Sequence, residues 1–133
     1  EGINYGCGTG HGVGICLKVH EAPHNFGMGY IKAPLEPGVI ITNEPGIYRE
    51  GVHGVRIENI MEVVEDCSNE FGTFYRFETV TMAPICTRAL DLKLLGEDQR
   101  YWLNDYHARV YSEVAPLLDK EEQEWLRTAT VAI

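Results

Sequence analysis

The chain has 133 residues, 20 of them acidic and 11 basic, for a formal net charge of −9. That length suits a single domain able to bury a core, and the acidic balance disfavours nucleic acid or an anionic membrane surface as a partner. No run approaches the ~20 apolar residues of a membrane-spanning helix and no signal segment is visible, while Cys7, Cys16, Cys67 and Cys86 form no Cys-x-x-Cys pair, so reduced thiols in the cytoplasm are expected.

In chain order, the first element is a glycine-dense stretch around His11. It has no Gly-Lys-Ser/Thr, and it lacks the glycine spacing and the preceding hydrophobic strand of a dinucleotide fingerprint. Its glycines are expected instead to permit positive φ values and close backbone approach near His11. Strands are expected over residues 13–20, 39–43, 55–64 and 74–84, with turns over 23–29 and 34–38 and a polar hairpin connection over 65–72. His20 lies nine residues past His11. Odd spacing on one strand puts the two on opposite faces, unless the glycines make an irregular entry. Cys16 reads as a small buried hydrophobe, and His24, His53 and His107 as solvent or packing histidines. After Gly96, Glu97-Asp98 opens a helix with a stripe of Tyr101, Trp102, Asp105, Tyr106, Val110 and Val114, and a second helix covers 121–128. Strands followed by helices make an α+β chain, with a boundary near Gly72.

Three runs in fixed order carry the chemistry: Gly10-His11-Gly12-Val13-Gly14, Asn43-Glu44-Pro45-Gly46-Ile47-Tyr48 and Val55-Arg56-Ile57-Glu58-Asn59. They supply one imidazole and two carboxylates, ligands that a hard or borderline divalent ion accepts. Two such ions ~3.5–4 Å apart need carboxylates to neutralise their repulsion, and Glu44 and Glu58 are the candidates. Both sit in apolar settings, where an ionised carboxylate is costly unless a cation or metal pairs with it. Arg56 and Glu58, two apart in an expected strand, share one face, so Arg56 can orient a carboxylate. Taken singly, His11 could be a loop histidine, Glu44 a turn-flanking acid, and Arg56 with Glu58 a surface pair. The closely spaced histidines of a cupin-like site are absent. The joint order of the three runs favours the metal reading.

That order and its flanking residues resemble the C-terminal half of the catalytic domain of the aminopeptidase P (X-Pro aminopeptidase) family, among the pita-bread metallopeptidases. The resemblance runs from Tyr5 to about Ala129. Glu-Pro-Gly and Arg-Ile-Glu are shared with prolidases, whereas the Gly10-to-Gly14 run followed by Val19-His20-Glu21 points to X-Pro enzymes. Phe77-Glu78-Thr79-Val80-Thr81 and Trp102-Leu103-Asn104-Asp105-Tyr106-His107 resemble the C-terminal extension of the long subfamily.

The resemblance implies half of a pita-bread (creatinase/aminopeptidase-like) domain over residues 1–71, with antiparallel strands, and the extension with its helices over 72–133. It implies a C-terminal fragment of an enzyme that removes the N-terminal residue from peptides with proline second. His11, Glu44 and Glu58 would be ligands of two divalent ions, Mn2+ first, with Zn2+, Co2+ or Fe2+ also admitted. Glu44 would serve in addition as the proton-shuttling base, His20 as a catalytic and substrate-contacting group, and Tyr48 and Arg56 as groups beside the metals. Cys7 stands where the family usually has a substrate-side histidine, so it bears on substrate binding more than on metal. Two aspartate ligands belong to the earlier half of the domain, so the fragment alone is expected to be inactive and a poor metal binder. The implied partners are the peptide, the N-terminal part of the same enzyme, and a second copy through the extension. There Tyr101, Trp102, Tyr106 and Trp125 are more aromatic surface than two short helices can bury. A non-catalytic dimerisation module, a degenerate homologue in which Cys7 marks lost chemistry, and a prolidase remain as alternatives, the last opposed by the extension.

Overall fold

Strands precede helices, and the sheets are antiparallel throughout, in the computed structural model, which describes residues 6–16, 18–27 and 33–133. Two compact units result, Glu1–Thr81 and Met82–Ile133. In the first, β1 (Gly10–Gly12), β2 (Glu21–Phe26), β3 (Ile40–Asn43), β6 (Asn59–Asn69) and β7 (Gly72–Thr79) form one sheet in the order β2-β1-β3-β6-β7. A separate ribbon pairs β4 (Gly46–Arg49) with β5 (His53–Arg56). Among the described residues of this unit, the buried side chains are Ile41, Thr42, Met61 and Val63, on the central strands β3 and β6.

The expected strand over 55–64 is broken in two. Asn43 pairs with Asn59 at the end of the main sheet, and Gly46 pairs with Arg56 at the start of the ribbon. Glu44-Pro45 therefore lies opposite Ile57-Glu58 in the gap. Pro45 has no N–H to give a ladder, which is why pairing lapses there and resumes with new partners. The interruption puts Glu44 and Glu58 at the junction of sheet and ribbon. Gly51, with φ of +69°, makes the turn that closes the ribbon.

Other expectations shift for local reasons. The strand expected over 13–20 ends at Gly12, and the Gly14 N–H instead closes a turn onto the Lys18 carbonyl at 2.9 Å. The turn expected at Pro23 is β2, which tolerates proline because it is an edge strand. Cys16 is exposed, lying in that connection and not in a core strand. The polar segment 65–72 continues the β6–β7 hairpin as far as Asn69, with only Glu70 and Phe71 in the turn. Its polarity reflects exposure on both faces, and Asp66–Arg76 and Ser68–Thr73 contacts bridge the two strands. The sequence boundary near Gly72 thus falls at a hairpin turn, while the compact units divide after Thr81.

The second unit is built on α1 (Glu97–Val114) and α2 (Lys120–Ala129). Gly96 caps α1, its N–H held by the Gln99 side chain, and Asp119 caps α2 by accepting from Glu121 and Glu122. The buried stripe of α1 is Leu103, Tyr106, His107 and Val110, an i, i+3, i+4, i+7 set. It closes with Ala115 and Leu126 into one cluster. Tyr106 and Val110 were expected there, but Tyr101 and Trp102 stand 75% and 50% exposed, off that face. No helix among the described residues is long and apolar enough to cross a membrane.

Candidate metal centre

His11 occupies the middle of β1, between two glycines that let neighbouring backbone come close. A Cβ on Gly10 would lie 1.9 Å from the Thr42 carbonyl oxygen, and one on Gly12 would lie 2.4 Å from that of Glu21. Close approach is therefore the reason for these glycines. The positive φ values expected around His11 do not occur among the described residues there; they fall at Gly38, Gly51 and Gly72. The His11 N–H donates to the Thr42 hydroxyl at 3.0 Å. Its ring Nδ1 lies 2.9 Å from the Gly12 carbonyl. A carbonyl only accepts, so Nδ1 carries a proton and Nε2 is the nitrogen left for other partners.

That nitrogen faces a carboxylate. His11 Nε2 and Glu44 Oε1 are 3.0 Å apart, with both side chains about 15% exposed. A proton on Nε2 makes this contact an ion pair, and a metal cation bound by both atoms would take the place of that proton. Donors each ~2.1 Å from one ion at a right angle are about 3.0 Å apart, so the pair has the spacing of neighbouring ligands. Glu58 completes the set: one ligand atom from each of His11, Glu44 and Glu58 lies within 4.8 Å of the others. Glu58 itself is exposed, contrary to the buried setting expected from its apolar neighbours, because the chain leaves β5 and enters β6 at that point.

Glu44 is the most tightly held of the three. Its N–H donates to the Thr9 carbonyl at 2.6 Å. Oε1 accepts from the Thr42 hydroxyl at 3.2 Å, Oε2 is paired with Arg56 Nη1, and the same nitrogen donates to the Glu44 carbonyl at 3.1 Å. Arg56 Nε in turn donates to the Tyr48 hydroxyl at 2.7 Å. The Arg56 guanidinium is held above its usual pKa first by that hydrogen bond, against a smaller desolvation penalty, and then by the charges of Tyr48 and Glu44; it stays cationic. Arg56 orients a carboxylate as expected, but the carboxylate is that of Glu44. The strand break removes the shared face with Glu58 on which the expectation rested.

His20 and His11 are brought together, their ring centroids 4.1 Å apart at 45°. They avoid opposite faces because β1 ends before His20 and the sheet register shifts at His11/Gly12. A cavity of about 350 Å³ opens here, lined by His11, His20, Asn25, Glu44 and Arg56 with the backbone of Gly8 and Gly10. Cys7 is half-buried, and its thiol donates to the Gly46 carbonyl at 3.1 Å. Sequence reasoning missed two residues. Thr42 sits two before Glu44 on a strand, a spacing that could have flagged it. Asn25 pairs with His11 across β1 and β2, and no local signal marks it.

An antiparallel sheet that brings one imidazole and two carboxylates together has the donor set of a divalent-metal site. The model of metallopeptidase family M24 matches residues 1–65, and that of the C-terminal region of peptidase M24 matches residues 73–133. The chain belongs to metallopeptidase family M24. It is 46% identical, over 140 aligned positions, to a probable Xaa-Pro aminopeptidase P of Coprinopsis cinerea, covering 100% of this chain and 22% of that protein. It is 44% identical to aminopeptidase P2 of Arabidopsis thaliana over 94% of this chain and 18% of the relative. The crystal structure of an X-prolyl aminopeptidase from Caenorhabditis elegans, described as a cytosolic enzyme with a di-nuclear active site, superposes with a TM-score of 0.90. It shares 39% identity and covers 99% of this chain and 22% of its own. The chain spans about a fifth of the length of the relatives it matches.

Proposed function

We propose that the chain is the C-terminal part of a dinuclear-metal X-Pro aminopeptidase, which removes the N-terminal residue from peptides with proline second. The observation that carries this reading is the convergence of His11, Glu44 and Glu58 within 4.8 Å, in a chain similar to enzymes of that name. His11 Nε2 and the carboxylates of Glu44 and Glu58 are the groups that would hold the ions, with two further carboxylates from the rest of the enzyme. When bound, two divalent ions, Mn2+ foremost, supply Lewis acidity toward the scissile carbonyl and lower the pKa of water.

The chain's own residues divide the remaining work. Glu44 handles the proton, its carboxylate fixed by Thr42 and Arg56 so that one rotamer serves throughout. Arg56 offsets the charge of Glu44 and is itself braced by Tyr48. His20, exposed beside His11, contacts the substrate or the oxyanion formed from its carbonyl. Cys7 lies on the substrate side, as a weaker donor than an imidazolium. The segment 1–133 alone, with three of the ligand residues, is inactive and loses its ions on dialysis. The complete enzyme is cytosolic and pairs with a second copy through the helical unit, a reading supported by the exposure of Tyr101, Trp102 and Trp125.

The test is to assay the complete enzyme on an X-Pro-X peptide and an X-Pro dipeptide, with elemental analysis. Release of the first residue from the longer peptide, with about two ions per chain, is expected. Cleavage of the dipeptide alone would transfer the reading to a prolidase, and an enzyme with neither metal nor activity would end it.

A further inference from the structure

The strongest unassigned feature of the site is the Thr42 hydroxyl. It is only 2% exposed and lies on β3, which runs beside β1, the strand that carries His11, and ends one residue before Glu44. It accepts the His11 N–H at 3.0 Å and donates to Glu44 Oε1 at 3.2 Å. The directions are fixed by chemistry: an amide can only donate, so the hydroxyl's one proton goes to the carboxylate. Among the described residues the β1–β3 ladder pairs Gly12 with Ile41, and main-chain bonds run from the Val13 N–H to the Ile40 carbonyl and from the Glu44 N–H to the Thr9 carbonyl; at His11 the hydroxyl takes the place of a main-chain acceptor. The missing side chain of Gly10 is what admits Thr42 so close to β1.

We infer that Thr42 is a positioning residue that sets the distance between the His11 and Glu44 ligand atoms, and through it the affinity of the site for a divalent cation. One side chain fixes the strand position of the imidazole and the rotamer of the carboxylate, which meet at 3.0 Å. Without the hydroxyl the His11 N–H loses its acceptor and Oε1 loses its donor. Both groups can then drift by tenths of an ångström, enough to weaken a chelate whose bond lengths are set within ~0.2 Å. The inference rests on the metal-ligand reading of His11 and Glu44.

The experiment titrates Mn2+ into the complete enzyme, freed of metal beforehand, and follows free Mn2+ by its electron paramagnetic resonance signal. The variants are Thr42→Val, Thr42→Ser and Glu44→Gln, with the melting temperature of each metal-free protein measured alongside. Groups that brace metal ligands change affinity by about 10- to 100-fold when lost, and a weakening of that size is expected for Thr42→Val. Thr42→Ser keeps the hydroxyl and should bind like the wild type. Thr42→Val that lowers the metal-free melting temperature and leaves Mn2+ affinity unchanged would overturn the inference, as would Thr42→Ser as weak as Thr42→Val. Should Thr42→Val not fold, Thr42→Ala carries the same expectation, because it puts no methyl group against the amide. A wild type that binds no Mn2+, or binds it equally well with Glu44→Gln, would refute the metal-ligand reading itself and the inference with it.

Discussion

Two histidines, one in each compact unit, show how the halves of this chain use polar groups differently. His107 on α1 is 0% exposed; its Nε2 accepts the Ile85 N–H at 3.1 Å, and its Nδ1 has no partner among the described residues. Burial lowers its pKa, opposed in smaller measure by the Ile85 hydrogen bond. It is a neutral group that satisfies backbone inside a core. His11 is part-exposed, tied through Nδ1 to its own strand, and aims Nε2 at a carboxylate beside an open cavity. A histidine that ends on backbone stabilises a fold, whereas one that ends on other unfinished ligands is available for chemistry. The helical unit turns its buried histidine onto its own backbone, and the sheet unit leaves several polar groups converging on one point.

The largest expected effect lies in the sheet unit. Glu44→Gln in the complete enzyme should cut kcat on an X-Pro-X peptide by about 10³-fold, since on the proposed function it removes both a ligand and the proton-handling group. Far-UV circular dichroism should not change. A comparable loss of structure would show Glu44 to be a folding element, like His107. In the helical unit the complementary change is Leu126→Ala, at a position 2% exposed in the core cluster. It should cost ~2–5 kcal/mol in urea unfolding, with Mn2+ affinity unchanged.

Cys7→His probes the proposed substrate-side role of Cys7, whose thiol donates to the Gly46 carbonyl. Restoring an imidazole should raise kcat/KM on X-Pro substrates about tenfold, or ~1.4 kcal/mol of transition-state stabilisation. Metal content should stay constant; stripping of the metal would mean that Cys7 is a ligand.

The smallest effect is the pH dependence of the helical unit. Because the His107 pKa is lowered on folding, the unfolded chain binds the extra proton first as pH falls. Stability contributed by this group is therefore complete above the unfolded value near 6.5 and is lost as pH drops below it, by at most ~1.4 kcal/mol per pH unit. Melting temperatures between pH 7.5 and 5 should show that slope, and His107→Gln should flatten it. An unchanged slope would assign the acid sensitivity elsewhere.

Much of this division was legible in the residues, because it rests on short-range signals. The Gly96-Glu97-Asp98 start of the first helix, the second helix over 121–128 and the order of strands before helices each rest on signals within a few positions. What escaped depended on strands meeting across the sheet. Thr42 becomes important only once β1 lies against β3, and the split at Ile57-Glu58 follows from which strand each half pairs with. Pro23 argues for a turn until β2 is known to be an edge. On α1 the periodicity was visible and its phase was not: aromatic Tyr101 and Trp102 drew the stripe toward themselves, while the buried face includes Leu103 and His107.

The central claim is that His11, Glu44 and Glu58 act as one ligand set, and anomalous diffraction at the manganese edge from Mn2+-loaded crystals of the complete enzyme tests it most directly. Two peaks ~3.5–4 Å apart are expected, with His11 Nε2 and oxygens of Glu44 and Glu58 at ~2.0–2.3 Å from them. Peaks elsewhere in the molecule, or a His11 ring turned away from both ions, would contradict it.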